Sequence, residues 1–311
     1  MFLYTLFLRF LRPAIAIALS ALMTGSGCTA REAVPSSAQE PVSVPRPEGF
    51  LLAELTENAI HRGNLILVNH DTPYHFPEVL SLRPVAEGKN GAYYIRSTDL
   101  LLAGDALDAL NAMLDEFLSQ GGSKTVNLVA AWRNEEVQQH LYDQSAARNG
   151  ADHATHYVAL PGCSEHHTGL AVDFSLYFTD GTSADFTGEG EWAWITENAP
   201  RFGFILRYPE GKADLTGIAY EPWHFRYVGI PHSLAIQELG LCLEEYLTYL
   251  RSFPYEGAHL FLTQGKERYE IWFEQGSDVH LPIEGEYTVS GNNADGLIVT
   301  RKLLDGDFYR E

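Results

Sequence analysis

The sequence predicts an α+β fold, in which helices pack on a small antiparallel sheet and a small all-β appendage follows at the C-terminus. Two observations lead to this prediction. In residues 48–254, segments with helical spacing of apolar residues are interleaved with short segments typical of strands. From Tyr255 onward only strand patterns remain, and turns containing glycine, such as residues 290–293, separate them. The 311 residues, 45 % of them apolar, are sufficient for one domain with a packed core and an accessory segment.

The individual elements follow in chain order. Residues 97–120 have apolar side chains at helical spacing and are followed by two glycines, which are typical of a helix end. In the predicted helix at residues 135–147, we expect Val137 and Leu141 to face the core. The predicted helices are 50–59, 97–120, 135–147 and 191–199, and the predicted strands are 65–68, 126–129, 170–175, 218–229, 259–263, 269–273, 287–290 and 297–300.

The segment SEHHTGLAVD, residues 164–173, combines a histidine in a loop with an aspartate on a strand. Gly169 allows a tight turn. After it, apolar side chains alternate with small or polar ones, so Asp173 projects from the face opposite the apolar one. We therefore expect His166 and Asp173 to converge on one ion.

A second segment, residues 218–229, contains EPWH and is rich in aromatic and β-branched residues, which predicts a strand. Glu221 and His224 are three residues apart, so a regular strand would direct them to opposite faces. Pro222 removes a ladder donor and indicates a local irregularity that allows both side chains to point inward.

Together these residues have the composition of a hydrolytic zinc site. His166, Asp173 and His224 are three zinc-binding side chains, which leave the fourth coordination position open to water. Glu221 is then a free carboxylate beside a ligand, in position to act as general base. The prediction is one Zn²⁺ per chain, although the same ligand set also suits other divalent ions.

Four neighbouring residues receive no metal role. His167 is adjacent to a proposed ligand but points elsewhere. Cys163 is expected to be a small buried residue. His153 and His156 lie in a polar stretch and are expected to be solvated.

The two segments resemble the zinc D-alanyl-D-alanine carboxypeptidases of the VanY type, whose relatives include D,D-dipeptidases and L,D-carboxypeptidases of bacterial cell walls. The family pattern is S-x-H-x-x-G-x-A-x-D followed by E-x-W-H. It is matched here by Ser164, His166, Gly169, Ala171, Asp173, Glu221, Trp223 and His224. The resemblance implies that His166, Asp173 and His224 are the zinc ligands and that Glu221 is the catalytic base.

Upstream, residues 130–138 (AAWRNEEVQ) resemble the family segment S-G-Y-R-x-x-x-x-Q. The resemblance implies that Arg133, Gln138 and Ser164 hold the substrate, and the planar fork of an arginine suits a peptide carboxylate. The alternative is that Arg133 forms an ordinary ion pair near a helix start. Residues 130–132 depart from S-G-Y, which leaves substrate preference open.

The N-terminal composition predicts export. Residues 1–28 resemble an export signal, or a lipoprotein signal or anchor ending at Cys28, and residues 29–47 have the composition of a linker. A catalytic domain at 48–254 and a β appendage at 255–311 complete the predicted organisation. The predicted location is extracytoplasmic, at the cell surface as an anchored protein or lipoprotein rather than a secreted one.

The charge and the resemblance define the expected partners. A net charge of −20 argues against nucleic acid and leaves membrane contact to the N-terminal anchor or lipid. The resemblance implies an enzyme that removes the C-terminal D-alanine from a peptidoglycan stem peptide. The chain is expected to be a monomer. The alternatives are an L,D-carboxypeptidase, a D,D-dipeptidase or, in another class, a non-catalytic wall-binding protein.

Overall fold

A computed structural model describes residues 49–304 of the chain. The predicted export segment and linker lie outside the described residues. The strands are β1 (Phe50–Glu54), β2 (Arg83–Pro84), β3 (Tyr94–Ile95), β4 (Leu101–Leu102), β5 (Val126–Ala130), β6 (Ala171–Tyr177), β7 (Ser183–Asp185), β8 (Phe204–Leu206), β9 (His224–Tyr227), β10 (Leu260–Gln264), β11 (Glu267–Gln275), β12 (Asp278–Pro282), β13 (Tyr287–Gly291) and β14 (Gly296–Leu303).

The helices surround these strands and confirm the mixed α+β class. The α-helices are α1 (Val85–Gly88), α2 (Gly104–Ser119), α3 (Glu135–Asn149), α4 (Ala151–Tyr157), α5 (Ala193–Asn198), α6 (Ala213–Thr216), α7 (His232–Leu239) and α8 (Leu243–Leu250). Single 3-10 turns lie at Glu57–His61, Glu165–Thr168, Gly190–Trp192 and Ala199–Phe202. None of the helices within residues 49–304 is long and apolar enough to span a membrane.

The principal sheet has the strand order β3-β5-β6-β9-β8, and β7 pairs with β6 at one end. All pairs are antiparallel except β3 with β5. One face is apolar because alternate residues of its strands are large and aliphatic or aromatic, such as Val172, Phe174 and Phe225. This face packs against the buried side of α2, and the opposite face carries the polar residues Asp173, His224 and Arg226.

The C-terminal strands form a second, antiparallel sheet in the order β10-β11-β14-β13. Four of these strands agree with the predicted segments. The sequence patterns missed β12 and β1, which pair with each other in antiparallel register from Phe50↔Pro282 to Glu54↔Asp278. The first described strand therefore belongs with the last part of the chain.

The second sheet shares a hydrophobic cluster with the preceding helices. Leu262, Ile271 and Ile298 from its strands are buried together with Leu243 and Leu250 of α8. Since both sides of this contact are apolar and almost fully buried, each stabilises the other.

The turn between β13 and β14 also holds the N-terminal segment in place. The side-chain amide of Asn293 donates to the carbonyl oxygens of Leu67 and Pro73 at 2.7 and 2.9 Å. The backbone of Gly291 donates to the carbonyl of Arg62. A Cβ at Gly291 would lie 1.9 Å from the carbonyl oxygen of Ile60, so the two backbones meet here without room for a side chain.

Four predictions about secondary structure are wrong in whole or in part. The predicted helix at 97–120 begins only at Gly104, because residues 101–102 form β4 and pair with β2. Residues 50–59 form β1 and a 3-10 turn instead of a helix, because residues 50–54 pair with β12 through antiparallel hydrogen bonds. Residues 65–68 are largely buried as predicted but form no strand, since their backbone bonds go to irregular partners such as Ser290 Oγ. The predicted strand at 218–229 begins only at His224.

The α3 helix exists, but its predicted core face is wrong. Val137 is 47 % exposed and Leu141 is only partly buried, whereas the polar Gln138 is buried. The reason is that α3 lies beside the polar site, where Gln138 donates to the carbonyl of Ala159 and accepts from Arg133.

Candidate metal centre

Asp173 and His224 are direct cross-strand partners on β6 and β9. Opposed residues of an antiparallel pair project from the same face of the sheet, so the register alone brings the two side chains together. The Nδ1 atom of His224 lies 2.8 Å from Oδ1 of Asp173. The predicted face of Asp173 is confirmed.

His166 reaches the same point from the 3-10 turn before β6. The turn ends at Gly169, whose φ of +71° is the left-handed conformation that glycine adopts without strain. The Nδ1 atom of His166 lies 2.5 Å from the carbonyl oxygen of Ala131, and its Nε2 atom lies 3.1 Å from Oδ2 of Asp173. The tight turn predicted at Gly169 is therefore present.

One ligand atom from each of His166, Asp173 and His224 lies within 4.8 Å of the others, and both imidazoles are buried. The carbonyl of Ala131 can only accept, so Nδ1 of His166 carries hydrogen and its Nε2 faces the cluster as a lone pair. An oxygen of Glu165 lies 3.4 Å from Nε2 of His224, and Nδ1 of that ring is the nitrogen that faces the cluster. These donors fit a zinc ion.

Glu221 approaches His224 through a β-turn. The backbone N–H of His224 donates to the carbonyl of Glu221, and Pro222 occupies the second position of the turn, where its fixed φ is favoured. The Oε2 atom of Glu221 lies 3.9 Å from Nδ1 of His224. The irregularity predicted from Pro222 is this turn, and it directs both side chains to the same side.

The surroundings shift the acidities of the cluster in different directions. Burial raises the pKa of Glu221 to about 7, and the negative charge of Asp173 adds to this effect. Burial and the charge of Arg133 lower the pKa of His166 to about 4. Burial also disfavours the charged form of His224, but its hydrogen bonds to Asp173 and Glu165 prevail and raise its pKa to about 9.

Arg133 lies against the cluster. Its Nη2 atom donates to Oδ2 of Asp173 at 2.7 Å and is 3.1 Å from Nε2 of His166, while Nη1 donates to Oε1 of Gln138 at 3.0 Å. The ion pair of the alternative interpretation thus exists, but its partner is a proposed ligand. Ser164 is buried two residues before His166, and no hydrogen bond joins its side chain to Arg133 within residues 49–304.

The other residues singled out in the sequence lie outside the cluster. His167 is buried and its ring bonds the carbonyl of Arg133 and the N–H of Gly162, so it faces away from the ion site. His153 and His156 are exposed, as expected. Cys163 is only partly buried, which corrects the expectation of a buried thiol: it sits in a loop rather than in the core.

Sequence reasoning missed three charged residues behind His224. Glu165, Arg207 and Arg226 are fully buried, and both arginines pair with Glu165. The alternation of β9 would have placed Arg226 on the face of His224. Nothing local marks Glu165, which lies between two motif residues and finds its arginines 42 and 61 residues later.

A mixed fold that directs two imidazoles and a carboxylate to one point, with a separate glutamate beside them, has the architecture of a metal-dependent hydrolase. Comparison with known proteins supports this class. The family model of VanY, D-alanyl-D-alanine carboxypeptidase, matches residues 99–230. A D-alanyl-D-alanine carboxypeptidase of Enterococcus faecium is 34 % identical over 253 residues, which cover 79 % of this chain and 77 % of that protein.

Solved structures agree. The vancomycin resistance D,D-dipeptidase VanXYg, in complex with a D-Ala-D-Ala phosphinate analog, has a TM-score of 0.73 at 34 % identity over 82 % of this chain and 99 % of that chain. A mutant of the vancomycin resistance D,D-pentapeptidase VanY from the VanB-type cassette, in complex with Zn(II), has a TM-score of 0.50 at 32 % identity over 59 % and 98 %. The chain belongs to the VanY family of D-alanyl-D-alanine carboxypeptidases.

Proposed function

We propose that this protein is a zinc-dependent D-alanyl-D-alanine carboxypeptidase that removes the C-terminal D-alanine from peptidoglycan stem peptides. The observation that carries the proposal is the cluster of His166, Asp173 and His224 with Glu221 3.9 Å from a ligand ring. A binding protein has no need of a buried carboxylate that lies beside the ligand cluster without belonging to it, whereas a hydrolase needs a general base at that place.

In this proposal His166 Nε2, His224 Nδ1 and Asp173 hold one zinc ion per chain. The ion would supply Lewis acidity, which polarises a peptide carbonyl and acidifies water. Glu221 takes the proton of the attacking water and later returns it to the leaving amine of D-alanine. Its burial keeps it a strong enough base to accept that proton near neutral pH.

Arg133 and Gln138 are proposed to hold the carboxylate of the terminal residue. The guanidinium lies beside the cluster and is oriented by Gln138, whose side chain is fixed in turn by the carbonyl of Ala159. A planar fork placed there can pair with a carboxylate through two hydrogen bonds. Ser164 is proposed to donate to the same region of the substrate.

The location and organisation are proposals as well. Residues 1–28 would direct export or carry the anchor, residues 29–47 would separate the enzyme from the membrane, and the monomer would act outside the cytoplasm on the wall. Residue 254 is proposed as the end of the segment that carries the catalytic residues, and not as the end of an independently folding unit, since the core and the β1–β12 pair cross it. Fractionation of cells and labelling of Cys28 with a lipid analogue test these statements.

The decisive experiment uses a soluble pentapeptide ending in D-Ala-D-Ala, with products identified by mass spectrometry. We expect loss of one alanine by the zinc-loaded protein and no cleavage after chelation. The matched control is Glu221→Gln, which keeps the shape of the side chain. Cleavage that survives chelation and this substitution would contradict the proposal.

A D,D-dipeptidase is the second candidate. It is favoured by the similarity to VanXYg, which covers 99 % of that chain. The dipeptide D-Ala-D-Ala, offered beside the pentapeptide, separates the two activities by their relative kcat/KM. A tetrapeptide ending in L-Lys-D-Ala reports the L,D-carboxypeptidase alternative in the same assay.

A further inference from the structure

Three fully buried charges lie behind His224. The side chains of Glu165, Arg207 and Arg226 have no exposed surface. Removing charges from water is unfavourable even when they are paired, and buried ion pairs frequently fail to stabilise a fold. A role other than stability is therefore sought in the contacts that Glu165 makes.

The two arginines bind the same oxygen of Glu165. Arg207 Nε and Arg226 Nη1 each donate to Oε1 at 2.7 Å. The second oxygen, Oε2, faces Nε2 of His224 at 3.4 Å, which is long for a hydrogen bond to a charged acceptor. The carboxylate is thus divided between one oxygen for the arginines and one for the imidazole.

Each arginine is fixed from its far side. Arg207 donates to both oxygens of Glu244 on α8, at 3.0 and 2.6 Å. Arg226 donates to the carbonyl oxygens of Asn64 and Ile66 at 3.0 and 2.9 Å. These contacts leave Glu165 little freedom to turn away from His224.

We propose that Glu165 is a positioning residue, whose carboxylate holds hydrogen on Nε2 of His224 and keeps Nδ1 of that ring directed at Asp173 and His166. The general precedent is a metal-bound histidine whose other ring nitrogen donates to a carboxylate, which fixes the tautomer and raises the basicity of the ligand. Glu165 itself contacts neither ion nor substrate in this role. The inference rests on the proposed metal site.

The test measures metal binding directly, with zinc alone and a competing chromophoric chelator. Glu165→Gln removes the negative charge. Glu165→Asp keeps the negative charge near the two arginines, but its side chain is shorter by one methylene and no longer reaches Nε2 of His224. We expect both variants to bind zinc about 10- to 100-fold more weakly than the full chain. We also expect the visible absorption of the Co²⁺-substituted protein to change, because the orientation of one ligand changes.

The matched control is Glu244→Gln, which disturbs Arg207 from the side away from His224. Melting temperatures are compared so that a loss of stability is not taken for a loss of positioning. We expect Glu244→Gln to keep the zinc affinity within about threefold of the unchanged protein, since the side chain of Glu244 contacts neither His166 nor His224. If the Glu165→Gln protein does not fold, the Glu165→Asp protein still provides the test.

The outcomes separate the two proposals. Should His166→Ala leave zinc affinity of the chain unchanged, the metal site is wrong and the inference fails with it. Should His166→Ala abolish binding while both Glu165 variants keep wild-type affinity and Co²⁺ spectrum, the role of Glu165 alone is wrong. Equal weakening by Glu244→Gln would also overturn it, since the effect would then pass through Arg207 packing.

Discussion

The carboxylate of Glu221 approaches His224 at 3.9 Å on the same ring nitrogen, Nδ1, that contacts Asp173. The residue is thus near the ion site but not among the three side chains whose ligand atoms converge. A general base in this position is not needed to bind the metal, whereas a ligand is, so metal content and activity measured together distinguish the two roles.

Glu221→Gln should retain zinc and lose activity. Loss of a general base typically lowers the rate by two to four orders of magnitude, about 10²- to 10⁴-fold. Metal content and kcat are measured on the same preparation. A variant that loses zinc as readily as His166→Ala does would identify Glu221 as a ligand instead.

Arg133→Lys should weaken substrate use although the charge is kept, because an ammonium lacks the bidentate fork. We expect a rise in KM of about tenfold or more, the equivalent of one charge-assisted hydrogen bond. The comparison is a peptide with a free C-terminus against its amide. Equal cleavage of both peptides by the unchanged enzyme would exclude carboxylate recognition by Arg133.

A chain that ends at Pro254 should be much less stable than the full chain. The truncation removes Leu262, Ile271 and Ile298 from their shared cluster with α8 and leaves β1 without its partner. Losing even one buried aliphatic side chain costs about 2–5 kcal/mol, so we expect a large fall in melting temperature. An unchanged melting temperature would show that the C-terminal strands are an independent unit.

Gly291→Ala should destabilise the fold by about 1–3 kcal/mol, the usual cost of forcing an atom into occupied space. The added carbon would lie 1.9 Å from the carbonyl of Ile60. Gly91→Ala is the control, because nothing lies within 4 Å of a Cβ there. Urea unfolding of both variants gives the comparison, and equal stability would mean that the two backbones are not held in contact.

His232 should make stability depend on pH. Burial lowers its pKa to about 3, and its ring nitrogens bond Tyr246 and Thr300. Above pH 6.5 the ring is neutral in both states, so it adds no pH dependence. Between pH 6.5 and 3 the unfolded chain binds the extra proton, and the free energy of unfolding falls by about 1.4 kcal/mol per pH unit as the pH is lowered.

The matched measurement is urea unfolding of the full chain and of His232→Gln at pH 7 and pH 5. The variant is expected to start less stable but to lose about 2 kcal/mol less between these two values. Parallel losses in both proteins would show that His232 is protonated within the fold.

Local patterns were sufficient where the structure depends on neighbouring residues. The alternation after Gly169 predicted β6 and the face of Asp173, and α2 followed from its apolar spacing. Pro222 indicated the irregularity that became a turn. Each of these features is determined within a few residues of the chain.

Features that depend on distant partners were not predicted. β1 is a strand because β12 pairs with it, and residues 65–68 are not one because Ser290 and Arg226 take their backbone groups. Glu165 is a buried charge only because two arginines arrive from β9 and from the residue after β8. A single sequence carries no local signal for such pairings.

The contact between residues 60–73 and the β13–β14 turn makes the polar residues behind His224 depend on a much later part of the chain. A nascent chain presents His166, Asp173 and His224 well before it presents Asn293. Until that amide arrives, Leu67 and Pro73 lack their partner, and the segment that supports Arg226 is not fixed. Closing so long a loop costs conformational entropy, so contacts of this kind are slow to form. The backbone that holds Arg226, and through Arg226 the carboxylate of Glu165, therefore depends on a turn that lies far beyond His224 in the sequence.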